Sequence, residues 1–217
     1  MTASASAAWT GQTGRPTRMV LLRHGQTALS VDRRYSGLGD PELTELGQAQ
    51  AAAAALRLGG MEGITAVLTS PLRRARQTAA AVAEAAEVPL QVRDGLIETD
   101  FGDWEGLTFL EARERDPELH GRWLGATDVA PPNGESFDAA GARVTAERAK
   151  ITAEYPGATV VVVSHVTPIK LILQEALAAG SSILYRLHLD LASIGIADFY
   201  PDGGASVRLV NDTSHLA

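Results

Sequence analysis

The sequence predicts an α/β fold, a three-layer α/β/α sandwich whose central sheet is mostly parallel with an antiparallel edge. Three observations predict it. Short apolar runs alternate with longer Ala-rich stretches of good helix formers, the order of βα units. The run Thr159–Val163 is β-branched and unbroken, as a strand covered on both faces requires. Near the end, Ile194–Tyr200 and Ser206–Val210 flank Pro201-Asp202-Gly203-Gly204, the signal of a hairpin.

The elements follow in order. Met19–Leu22 is the first strand and ends at Arg23-His24-Gly25. Thr44 is placed to cap a helix that runs through an Ala-rich stretch to Leu58, where Gly59-Gly60 stops it. Ile64–Leu68 is the second strand. Ser70 then caps, Pro71 takes the first helical position, and the helix runs to about Ala86. Leu90–Val92 is a short strand ahead of Gly95-Leu96-Ile97-Glu98. Residues 100–134, with Trp104, Trp123, Pro131 and Pro132, are expected as an irregular insertion with short helices that forms a lid or pocket wall. A long helix covers Glu135–Glu154. The strand Thr159–Val163 ends at Ser164-His165, and Ile169–Ala178 is helical. Residues 1–18, rich in Ala, Ser, Thr and Gly, are expected to be a flexible leader or linker, with one domain over 19–217. No internal repeat is visible.

Bulk properties narrow the function. Of 217 residues, 45% are hydrophobic and 21% charged, enough to bury a core. The net charge of −7 disfavours non-specific nucleic-acid binding, although an acidic protein can still hold an anion where its cations are gathered. The absence of cysteine excludes disulfides and thiolate metal sites. No apolar run approaches the roughly 20 residues that span a bilayer, and the start lacks the pattern of a signal peptide. A cytoplasmic, non-membrane setting is the default expectation.

The chemistry is expected where strands end, because open α/β sheets bind ligands beyond the carboxyl ends of their strands. Two strands deliver a histidine there, His24 and His165. A third feeds Arg73 and Arg74, and the segment after the fourth brings Glu98. Imidazoles, guanidinium groups and one carboxyl suit phosphoryl transfer. Arginine forks match phosphate oxygens, a neutral imidazole is a nucleophile, and a carboxyl group can protonate a leaving alkoxide. Each element also has an ordinary structural reading. A strand-end histidine is commonly a hydrogen-bonded structural residue, the arginines 73, 74 and 76 fit a solvated helix face, and Trp104 and Trp123 fit packing. His120, His188 and His215 receive no chemistry. A metal site on two histidines and carboxylates is conceivable, but no compact ligand spacing supports it.

The strings "LLRHGQT", "LTELGQAQA", "SPLRRARQTA", "IETDFGDWEG", "PPNGESF" and "VVVSHVTPIK" occur in this order over about residues 19–210. Together they resemble the histidine phosphatase (phosphoglycerate-mutase-like) superfamily, and "GDWEG" looks like its phosphatase branch, similar to alpha-ribazole phosphatase. "LSVDRRYSGLGDPELTELG", "SHVTPIK" and "LYRLHLDLASIGIADFY" look like the C-terminal acid phosphatase domain of actinobacterial bifunctional ribonuclease H/acid phosphatase proteins. That likeness makes the leader a remnant of an interdomain linker, or the chain a stand-alone relative.

The resemblance implies a phosphoglycerate-mutase-like fold and a phosphomonoester hydrolase needing no metal or other cofactor. His24 would be the nucleophile that becomes phosphohistidine. Arg23, Arg73 and His165 would hold the phosphate oxygens, and Glu98 would protonate the leaving group and then activate water. Thr27 sits where the family places a polar residue near the phosphate. Two positions depart from the common pattern: Ser30 stands where many members have Asn, and Val166 where many have Gly. Ser36-Gly37 aligns with a substrate-contacting pair. The partner implied is a small phosphomonoester. The rival readings are a phosphoglycerate mutase-type phosphotransferase and a non-catalytic phosphate-binding module.

Overall fold

The computed structural model describes residues 12–217. Six strands form one sheet: β1 (Thr17–Arg23), β2 (Ile64–Thr69), β3 (Leu90–Val92), β4 (Thr159–Ser164), β5 (Ile194–Phe199) and β6 (Ala205–Asp212). Their spatial order is β3-β2-β4-β1-β5-β6. The pairs β2–β3, β2–β4 and β1–β4 are parallel, whereas β1–β5 and β5–β6 are antiparallel. The expected mixed sheet with an antiparallel edge is therefore present.

Side chains alternate across a strand, so each central strand feeds two cores. Met19, Leu21, Val160 and Val162 pack under the helices α6 (Phe137–Glu154) and α7 (Val166–Ala176), against Val144, Ile151, Ile169 and Ile172. Val20, Leu22, Val161 and Val163 pack on the other side against α2 (Glu45–Gly59) and α3 (Arg73–Ala86), through Ala54, Ala55, Leu58, Ala79 and Val82. This two-sided burial is why the strands read as unbroken apolar runs. Thr44 caps α2 by accepting the Gly47 N–H at 3.0 Å, as its position in the sequence predicts.

Several boundaries differ from expectation. Strand β1 begins at Thr17, and the residues ahead of it are tied to the hairpin turn: Gln12 donates to the Ala205 carbonyl at 2.7 Å and the Thr13 N–H to Asp202 at 2.7 Å. The expected leader is thus shortened at its end, while its residues 1–11 lie outside the described residues. Helix α6 starts at Phe137, with Ser136 rather than a preceding residue as the cap. Helix α7 starts at Val166, three residues early, because His165 itself takes the cap position. The short helices α1 (Ala28–Val31) and α8 (Ile183–Arg186) carry too few residues for a periodic signal. Residues 100–134 hold α4 (Phe109–Arg115) and α5 (Pro117–Trp123) around an aromatic cluster, in which Trp104 and Trp123 pack edge-on at 5.5 Å.

Register sets the two histidines side by side. Arg23 pairs with Ser164 across β1 and β4, and the next residue, His24, donates its N–H to the Ser164 carbonyl at 3.0 Å. On the other flank of β4, the Ser70 N–H donates to the Val163 carbonyl at 3.1 Å. Three strand ends therefore meet at one rim.

Candidate active site

His24 and His165 are separated by most of the chain, yet their ring centroids lie 5.1 Å apart. Both are buried, His24 at 5% exposure and His165 at 0%. The His24 Nδ1–H donates to the Gly25 carbonyl at 2.7 Å, which leaves the lone pair on Nε2. His165 Nε2 shares a 2.7 Å hydrogen bond with Ser70 Oγ. Burial holds both imidazoles well below the usual histidine range, and the positive charges of Arg23 and Arg74 push each the same way. Both rings are therefore neutral at pH 7.

The turn that carries His24 is tight. A Cβ on Gly25 would sit 2.5 Å from the Gly47 carbonyl, so the turn can lie directly on the start of α2 only with glycine there. The Gly25 N–H donates to Thr78 Oγ1 at 3.1 Å, which ties the turn to α3 as well.

Two guanidinium groups flank the imidazoles. Arg23 donates to the Leu189 carbonyl at 2.6 Å, and burial pulls it down to about 10, so it remains charged. The second is Arg74, which corrects the expectation of Arg73. Arg73 lies on the outer side of α3, 54% exposed, in a 3.0 Å ion pair with Glu42. Arg74 is fully buried, and burial is the main cause lowering its pKa. Its Nη atoms donate to the carbonyls of Ser36, Gly37 and Gly39 at 3.0, 2.8 and 2.6 Å. The physical reason is helical phase. The buried face of α3 carries Arg74, Ala75, Thr78, Ala79, Val82 and Ala83, and residue 73 falls off it.

Glu98 is buried at the same rim. One carboxylate oxygen accepts the Thr99 N–H at 2.8 Å and the other the Thr167 N–H at 3.5 Å. The cavity here has a volume of about 930 Å³ and is lined by Arg23, His24, Thr27, Ser30, Ser36, Glu98, Val166 and Thr167 at its polar end. Tyr35, Phe101, Phe109, Trp123, Phe137 and Tyr185 form its aromatic wall.

The remaining predicted residues divide. Thr27 is buried, lines the cavity and caps α1. Ser30 also lines it, but its hydroxyl donates its one proton to the Thr27 carbonyl at 2.7 Å and so has none for a ligand. Ser36 presents a buried hydroxyl with no partner among the described residues. Gly37 is turned away: its N–H donates to Glu105 at 2.7 Å and its carbonyl accepts from Arg74. Val166 lines the cavity from the first turn of α7.

Sequence reasoning missed Lys170 and Ser70. Lys170 lines the cavity, donates to the Leu184 carbonyl at 2.7 Å, and is lowered by burial, with Glu98 acting against that. Its four-residue spacing from Val166 on α7 was the available signal. Arg23 Nε, Arg74 Nε and His165 Nδ1 are buried with no hydrogen-bond partner among the described residues. The site thus combines unsatisfied donors, two cations and a nucleophilic nitrogen, the kit for a small anion such as a phosphoryl group. Among the described residues no group of three or more His, Asp or Glu is gathered as a metal would need, and no helix is long and apolar enough to cross a membrane.

The model of the histidine phosphatase superfamily (branch 1) matches residues 19–213. A Mycobacterium tuberculosis relative named "Bifunctional protein Rv2228c" is 60% identical over 211 residues, covering 97% of this chain and 58% of the relative. The chain therefore spans less than two thirds of that relative's length. A mycobacterial glucosyl-3-phosphoglycerate phosphatase solved with VO3 superposes with a TM-score of 0.83 at 31% identity, covering 91% of this chain and 100% of that one. A putative alpha-ribazole-5'-P phosphatase from Escherichia coli superposes with a TM-score of 0.81 at 29% identity, covering 91% and 97%.

Proposed function

The chain belongs to the histidine phosphatase superfamily, branch 1, and from that premise we propose that it hydrolyses small phosphomonoesters through a phosphohistidine on His24. The observation that carries this reading is the state of His24, a buried neutral imidazole whose Nδ1–H is held by the Gly25 carbonyl. The free electron pair then sits on Nε2, beside His165 and two guanidinium groups.

In the first step Nε2 of His24 forms a bond to phosphorus while the ester P–O bond breaks, and the carboxyl proton of Glu98 passes to the departing oxygen. In the second, a water oxygen bonds to phosphorus, the N–P bond breaks, and Glu98 takes the proton of the water. Arg23, Arg74 and His165 hold the equatorial oxygens through donors that the protein itself leaves unsatisfied. Fixed cations supply the positive charge, so no metal enters the scheme.

We take the substrate to be of the alpha-ribazole phosphatase or general acid phosphatase kind, because the aromatic wall suits a leaving group with apolar faces. Residues 19–217 are the phosphatase domain in this reading, and residues 100–134 its lid. A ribonuclease H domain in the full-length protein and a cytoplasmic site of action belong to the same proposal. They rest on the sequence likeness and on the "Bifunctional" name of the mycobacterial relative.

The test is phosphate release from a panel of phosphomonoesters by the purified protein, with and without chelator. Hydrolysis is expected to persist in chelator and to vanish in His24→Ala. Full turnover by that variant would remove the nucleophile from the scheme, and isomerisation of 3-phosphoglycerate without phosphate release would favour a mutase.

A further inference from the structure

Glu98 lies in a stretch, residues 95–98, that joins no strand. Its backbone carbonyls are instead taken by side chains from distant elements. Arg143 of α6 donates through Nη1 to Gly95 O at 3.1 Å and Ile97 O at 2.7 Å, and through Nη2 to Glu98 O at 3.1 Å. The carbonyl between them, Leu96 O, accepts from Ser164 Oγ at 2.7 Å. Four consecutive carbonyls are thus pinned from outside.

Arg143 is itself locked. Its Nε and Nη2 donate to the two oxygens of Glu135 at 2.8 and 2.9 Å, a bidentate pair with both side chains mostly buried. Glu135 is anchored in turn, its N–H donating to the Asp100 carbonyl at 2.8 Å. All three guanidinium nitrogens are therefore committed to structure. By contrast, among the described residues the Glu98 carboxylate has only the N–H of its own neighbour Thr99 and a long contact from Thr167. Its direction follows from the backbone that bears it more than from contacts of its own.

We propose that Arg143, held by Glu135, is the positioning residue of the acid: it fixes the 95–98 backbone so that the Glu98 carboxyl faces the leaving oxygen. This rests on the reading of Glu98 as proton donor. The geometry needs a planar fork, since a lysine has one nitrogen and cannot hold three carbonyls and a carboxylate together.

The experiment compares two substrates whose leaving groups differ in their need for a proton. An alkyl phosphate such as glycerol 2-phosphate requires the acid, whereas 4-nitrophenyl phosphate expels a stable phenolate. General acid catalysis contributes about 10²–10⁴-fold. In Arg143→Gln, kcat/KM for the alkyl ester is expected to fall about 10–100-fold, part of that whole, while the aryl ester falls less than about 3-fold. Glu135→Gln should shift the ratio in the same direction by a smaller factor, and it carries the test if Arg143→Gln does not fold. Loss of structure lowers both rates together and leaves the ratio alone.

Glu98→Gln is measured beside them. A selective loss there with no change of ratio in the Arg143 or Glu135 variants overturns the positioning role and leaves the acid in place. Equal losses on both substrates in Glu98→Gln overturn the acid assignment, and the positioning role with it.

Discussion

Replacing each of two neighbouring arginines, one exposed and one buried, tests which of them serves the proposed phosphate pocket. Arg73→Ala removes an ion pair with Glu42 in which both side chains are more than half exposed. Such pairs contribute about 0–1 kcal/mol. The backbone N–H of residue 73 keeps its bond to Asp40, so the start of α3 is unaffected. Arg74 is a different case. Its three donated hydrogen bonds hold carbonyls of the 36–39 loop, while Glu105 holds the N–H groups of Gly37 and Gly39 at 2.7 and 3.1 Å. A net value of about 1.5–3 kcal/mol for each bond from a charged donor puts the upper limit for Arg74→Ala near 4.5–9 kcal/mol. That is comparable with the whole stability of a domain, about 5–15 kcal/mol. Arg74→Lys is therefore the better probe, because it keeps the charge and loses the fork. One transition-state donor is worth about 10²–10³ in kcat, and Arg74→Lys should lose about that much on 4-nitrophenyl phosphate. Arg73→Ala should stay within about 3-fold of the parent, with a midpoint of thermal unfolding lowered by only a few degrees, about what 1 kcal/mol gives. A tenfold loss in Arg73→Ala, or parental activity in Arg74→Lys, would refute the assignment of the phosphate pocket to the buried arginine.

Two further outcomes follow from the buried titratable groups. His24 and His165 have pKa values well below the usual 6.5 in the folded protein, so the unfolded chain binds more protons as the pH falls below that value. Their contribution is whole above about pH 6.5 and declines toward the depressed native values, at about 1.4 kcal/mol per pH unit for each. Urea unfolding at pH 7.5, 6.0 and 5.0 reads this loss, His165→Asn should flatten it, and a curve level from 7.5 to 5.0 would contradict neutral burial. The Asp198 carboxylate is fully buried and bonded to Arg18 at 2.7 and 2.9 Å and to Arg208 at 3.0 Å. Burial pushes its pKa up, but the two guanidinium partners outweigh that and hold it below the usual carboxylate range. Asp198→Ala leaves two guanidinium groups that keep solvent contact, so denaturation should show a loss of about 1–3 kcal/mol, less than for a pair buried on both sides; kcat should not change, because Arg18 and Asp198 pair at the start of β1, the end opposite His24.

Strands were legible because their burial is a local property: a run covered on both faces has to be apolar, and Met19–Leu22 of β1 and Val160–Val163 of β4 are. The meeting of His24 with His165 was legible for a related reason, since each ends a strand and parallel neighbours end at the same rim. The aromatic wall was not legible. Tyr35, Phe101, Phe109, Trp123, Phe137 and Tyr185 come from six separate segments, and nothing in their spacing shows that they share one cluster. The loss of a free proton on Ser30 was equally hidden, because it depends on the closure of a four-residue helix that propensity does not mark.

The misplaced arginine is the more instructive difference, because the sequence did contain the signal. A helix packed on a sheet buries residues spaced three and four apart, and on α3 that set is fixed by Ala75, Ala79 and Val82. Arg74 is one step before Ala75 and four before Thr78, so it faces inward with them. Arg73 is displaced by a further 100° or so and faces water. A buried cation on an otherwise apolar stripe violates the pattern, and burying it costs energy unless partners or a ligand are supplied. Here the partners are the carbonyls of the 36–39 loop, and the remaining Nε is left for an anion. The position at which the hydrophobic pattern fails is therefore the position where charge has been brought to the proposed phosphoryl site, whereas the exposed arginine beside it obeys the pattern.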